Sequence, residues 1–129
     1  MSASYTHKNL LDVHDAAPDI ELDQWQESRF ATGDLGAEQA GVTHHRIKPD
    51  TRQGFAHRHE RAEELYVVLG GSGRVKLDDD IIDLRPLDAV RVEPQVFRSW
   101  EAGPAGLDLL AFGALHDDAT EFIPDWWTD

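Results

Sequence analysis

No cysteine occurs anywhere in this chain of 129 residues. A disulfide scaffold is thereby excluded, and so is a metal site built on thiolates. Basic residues are scarce: 12 Lys and Arg stand against 25 Asp and Glu, a formal net charge of -13 at pH 7. So acidic a surface repels phosphate backbones and anionic lipid, which argues against nucleic acid and membrane as partners. No stretch approaches the roughly 20 apolar residues of a membrane span. The N-terminal "MSASYTHKNLLDVHDAAPD" lacks the apolar core of a signal peptide. The cytoplasm is therefore the expected compartment. There is no phosphate loop, no dinucleotide fingerprint and no evident nucleophile–base pair such as Ser with a neighbouring His.

What is present fits a soluble domain. Apolar residues make up 40% and charged residues 29%, enough to bury a core without staples. From Trp25 onward, short apolar runs alternate with Gly, Pro and Asp. That rhythm predicts a sandwich or barrel of short strands, at 28–32, 42–48, 64–69, 74–77, 81–84, 89–92, 96–100 and 107–112. "DDD" at 78–80 reads as a hairpin turn. "GGSG" at 70–73 tolerates positive φ, so the chain is expected to reverse there. Residues 1–24 read as an arm with one short helical turn near Leu10–Val13, and 25–115 as the barrel. Residues 116–129 read as an acidic tail whose "FIPDWW" lacks a helical or strand period. Aromatics at that density are expected to cover the barrel or a partner chain. The expected fold is all-β.

One stretch carries chemistry: "GFAHRHERAEELYVVLGGSG", 54–73. In a strand, residues two apart share a face, so His57 and His59 point the same way. A turn through "ERA" brings Glu63 or Glu64 opposite them. Strand period lets only one of the two face inward, and parity alone does not choose. Two imidazoles and a carboxylate so placed can hold a metal ion; a solvated, charged strand end is the plain alternative.

The same string resembles the first motif of the cupin family: H-x-H, three or four residues, E, six residues, G. Glu63 with Gly70 and Glu64 with Gly71 both fit that spacing. The likeness of "EELYVVLGGSG" to the family's doubled-glutamate pattern favours Glu64. The resemblance covers about residues 47–112. It implies a double-stranded β-helix, or jelly-roll barrel, whose lumen binds a divalent transition metal (Zn, Fe, Mn or Ni) through His57, His59 and Glu64. It also implies a small-molecule ligand and, because small members pair through sheet edges, a homodimer.

The family's second motif is broken here. It reads G, five residues, P-x-G, two residues, H, three residues, N, and its histidine is the fourth ligand. Aligned through "AVRV", those positions hold Leu87, Glu93, Gln95, Arg98 and Ala102; a one-residue slide puts Ser99 in place of the histidine. Val96, Arg98 and Trp100 share one strand face. An inward arginine stays protonated, cannot ligate and attracts carboxylates. It could pair with Glu64, swing away from an open two-His-one-carboxylate site, or bind the anionic end of a ligand. The remaining option is an outward surface charge.

His44 and His45 lie on an earlier predicted strand, and one of them should face inward, where it could replace the missing ligand. Tyr66 and Trp100, if inward, line a pocket; plain core packing is the other reading. His7, His14 and His116 are expected in solvent. The function readings are a metal-dependent enzyme acting on a small molecule, as oxygenase or isomerase; a non-catalytic small-molecule-binding barrel, with or without metal; or a metal-free barrel whose motif is a relic or a stabilising polar cluster. Fold does not select among these.

Overall fold

The computed structural model describes residues 4–114 and 119–129. Its strands are β1 (Gln26–Phe30), β2 (Ala40–Ile47), β3 (Phe55–His59), β4 (Glu64–Leu77), β5 (Asp80–Leu84), β6 (Ala89–Val92), β7 (Arg98–Ala114) and β8 (Thr120–Pro124). All pairings are antiparallel. The sheet runs β1-β2-β7-β3-β8, with β4 also on β7 and with β5 and β6 on β4. It curls on itself as an all-β jelly-roll barrel.

Alternation sets the inward face. Tyr66 and Val68 of β4 are buried, while Leu65 and Leu69 are exposed. They meet Ile47, Val75, Trp100, Leu107 and Leu109 in one core. Full burial of such side chains is worth roughly 1.5–3 kcal/mol each.

Two expectations fail at one corner. Neither "GGSG" nor 101–106 breaks the chain. β4 runs through 70–73 as one strand, with register shifts between Val68 and Gly70 and between Gly71 and Gly73. The predicted strands 96–100 and 107–112 are likewise parts of β7. Gly71 and Gly106 both take positive φ, 77° and 82°, and a Cβ on Gly71 would collide with the Gly106 carbonyl. The glycines let two paired strands bend together instead of reversing one. The Asp78–Asp79 turn joins β4 to β5, with Leu77 opposite Asp80.

Both ends of the chain join the barrel. The arm forms two 3-10 turns, Leu10–Asp12 and Pro18–Ile20. The Asp15 carboxylate accepts from the Ser28 and Ala17 amides, and Val13 and Ala17 are buried. At the other end, residues 120–124 are strand β8 on β3, not free tail. The last residues lie over the outer sheet. Trp127 Nε1 donates to Ser99 Oγ at 3.0 Å. The Arg52 guanidinium sits 4.4 Å over the Trp127 ring and Lys76 Nζ 4.3 Å over Trp126. The aromatic tail therefore covers the barrel. It also explains why Ser99, on the outer parity of β7, is fully buried. No helix among the described residues is long and apolar enough to cross a membrane.

Candidate metal centre and lumen

β3 carries the two histidines and lies between β7 and β8. His57 stands opposite Arg98 on one side and Phe122 on the other, and His59 stands opposite Thr120. After the turn at 60–63, Glu64 opens β4. Glu64 shares the inward parity of Tyr66 and Val68. Glu63 falls on the outer surface, 3.3 Å from Arg91.

The ligand atoms of His57, His59 and Glu64 lie within 4.8 Å of one another. Glu64 Oε1 is 2.8 Å from His59 Nε2 and 3.7 Å from His57 Nε2. The same oxygen accepts from the Tyr66 hydroxyl at 2.7 Å and from Arg98 Nη1 at 2.7 Å. Burial by itself raises the Glu64 carboxyl, but the facing His57, His59 and Tyr66 side chains outweigh it and hold the group well below the usual carboxylate range. Burial pushes the His57 imidazole down, with Glu64 opposing in part, and pushes the Tyr66 phenol well up.

Arg98 is fully buried. Its Nε donates to the Val96 carbonyl, and its Nη2 to the carbonyls of Glu93, Pro94 and Val96, at 2.9–3.2 Å. The guanidinium is thus fixed behind Glu64 and is not part of the cavity wall. This differs from the expectation of a ligand-binding arginine, because the loop carbonyls and Glu64 already hold all three of its nitrogens. Tyr66 and Trp100 do line the lumen, with ring centroids 4.7 Å apart, and also belong to the core.

The cavity is about 230 Å³. His57, His59 and Glu64 stand on its wall, and Phe55, Phe122 and Leu109 are among its apolar lining. Ile20 and Leu22 of the arm reach the same space. Of the earlier histidine pair, His45 faces the lumen, while His44 turns away and bonds Asp108. His7 and His14 are exposed, and His116 lies outside the described residues.

Sequence reasoning missed Thr120 and Phe122. Thr120 Oγ1 lies 3.2 Å from His59 Nδ1, and Phe122 packs 5.8 Å from the His57 ring. Their shared parity in "TEF" was the available signal, masked by the Pro and aromatics that follow.

The donor set suits a divalent ion: two imidazole nitrogens facing one carboxylate, as in two-His-one-carboxylate sites with open positions. A ligating imidazole is ordinarily steadied through its other nitrogen. His59 has Thr120 for that purpose, whereas His57 Nδ1 is buried without a partner among the described residues.

The fold is that of a cupin-type barrel. A cupin protein from Bacteroides fragilis superposes with a TM-score of 0.70 at 19% identity, over 90% of this chain and 88% of that one. Oxalate decarboxylase from Bacillus subtilis gives 0.70 at 21% identity, over 90% and 32%. A single-residue variant of salicylate 1,2-dioxygenase from Pseudoaminobacter salicylatoxidans gives 0.68 at 16% identity, over 82% and 34%. The chain thus spans about a third of the length of these two enzymes. No family model and no curated protein matches the sequence.

Proposed function

We propose that this chain is a member of the cupin family that binds one divalent transition metal (Zn, Fe, Mn or Ni) through His57, His59 and Glu64, and a small molecule beside it in the lumen. One observation carries the reading: three ligand atoms converge within 4.8 Å on the wall of a mostly apolar cavity. When bound, the metal supplies Lewis acidity or a site for oxygen. The protein's own groups do the rest. Thr120 orients His59, Tyr66 donates to the carboxylate, and Arg98 neutralises it. With Glu64 and Arg98 cancelling, an ion of charge 2+ leaves the lumen positive, which favours an anionic ligand. Barrels of this fold in the dioxygenase and the decarboxylase support small-molecule chemistry, of which oxygenase or isomerase is the reading offered here.

A second reading has its own support. The 2.7 Å contact between Arg98 and Glu64 is complete without metal and suits a metal-free binding barrel. Elemental analysis of the purified protein separates the two: about one transition-metal ion per chain supports the first, and none supports the second. The proposal includes a homodimer, because pairing through sheet edges protects strand edges that would otherwise invite aggregation. Light scattering that gives a monomer mass at micromolar concentration contradicts it.

A further inference from the structure

The lumen holds a second polar station, which the metal reading does not use. Gln26 and Ser28 of β1 and His45 of β2 line the same cavity, and Ser28 is the cross-strand partner of His45. Gln26 and Ser28 are both buried.

The direction of each hydrogen bond can be traced from a backbone amide, which can only donate. The Trp100 N–H points at Gln53 Oε1, 3.0 Å away. That fixes the Gln53 amide, so its Nε2 donates to Gln26 Oε1. Gln26 Nε2 must then donate to Ser28 Oγ, at 2.8 Å. Ser28 has one proton left to give, and His45 Nδ1 lies 2.8 Å from its oxygen. Gln26 Nε2 approaches the same nitrogen at 3.5 Å. Donors converge on Nδ1, so Nδ1 is the bare nitrogen and the ring proton sits on Nε2. No hydrogen bond involves Nε2 of His45 among the described residues.

We propose that His45 is the recognition residue of the lumen: its Nε2–H donates to a carbonyl-type oxygen on a compact, apolar, single-ring ligand packed against Phe55, Phe122 and Leu109. Each part of that class comes from the site. A donor without a partner selects an acceptor. Burial holds the imidazole down, to about 4, so the donor is neutral near pH 7 and does not itself demand an anion. A space of about 230 Å³ is smaller than the usual range for drug-sized ligands. The assignment rests on the lumen being a ligand site, not on metal being present.

Two measurements on the full, metal-stripped chain test it. In the first, nitrogen-15 NMR of histidine-labelled protein at pH 7 reads the tautomer; His45 is expected with its proton on Nε2, and a proton on Nδ1 overturns the assignment. In the second, acetophenone and its acceptor-free analogue ethylbenzene are titrated by tryptophan fluorescence. His45→Leu is expected to weaken acetophenone about tenfold and to leave ethylbenzene within about twofold. Ser28→Ala, a milder change, should weaken acetophenone alone by a smaller factor. Equal losses for both probes, no loss, or no acetophenone binding by the wild type at millimolar concentration overturns the proposal. Metal uptake of His45→Leu should equal that of the wild type. A wild type that takes up no metal but discriminates the two probes would sink the metal reading and leave this one standing.

Discussion

Arg98 Nη1 lies 2.7 Å from Glu64 Oε1, and Arg98 is the cross-strand partner of His57. The residue aligned with the cupin motif's fourth ligand is thus a fixed cation bonded to the third. Its charge opposes an incoming ion, and its hydrogen bond competes for the ligating oxygen. Arg98→His should remove both effects and add a nitrogen donor. Isothermal titration should then show affinity for zinc, nickel or manganese raised at least about tenfold. Unchanged affinity would mean that Arg98 does not weaken the site.

The Thr120 hydroxyl lies against the far nitrogen of His59, so its effect on metal is one of positioning. Thr120→Val keeps a β-branched side chain in β8 and deletes the hydroxyl. Metal affinity should fall by about 10–100-fold, the usual effect of losing such a partner. Unfolding midpoint should change little. Equal losses of stability and affinity would show that Thr120 serves the strand alone.

Acid should destabilise the fold before most carboxylates titrate. The imidazoles of His45, at about 4, and His57 are both held below their ordinary value, chiefly by burial. Between about pH 6.5 and 4 the unfolded chain therefore binds protons that the folded chain refuses, and stability falls as pH falls through that window. His45 alone can contribute on the order of 3 kcal/mol. Glu64, held low, adds stability present above its unfolded value of about 4.3 and lost further into acid. Urea unfolding at pH 7 and pH 4.5 measures the difference, and His45→Gln should flatten it. Equal stability at the two values would contradict the burial assigned to these rings.

Local pattern made the barrel legible in the sequence. Alternation about Tyr66 and Val68 and the turn at Asp78–Asp79 need only neighbours a few residues away. The corner at Gly71 and Gly106 was not legible. Whether "GGSG" reverses the chain or bends it depends on a partner strand some 35 residues distant, which no local period records. Strand β8 was hidden because its register with β3 is set by pairing, not by its own composition. The pairing of His57 with His59 followed from spacing, and the choice of Glu64 over Glu63 from the resemblance to the doubled-glutamate pattern. The relay through Gln53, Gln26 and Ser28 to His45 did not, because it joins residues 26–100 through tertiary packing alone.

The central claim is that the histidine–glutamate cluster holds a metal in spite of Arg98. Titrating the metal-stripped chain with manganese, nickel or zinc, beside a His57→Ala/His59→Ala double variant, tests it most directly. The account predicts one site per wild-type chain and an affinity loss of at least about 100-fold in the variant. A double variant that binds stoichiometric metal as tightly as the wild type would contradict it.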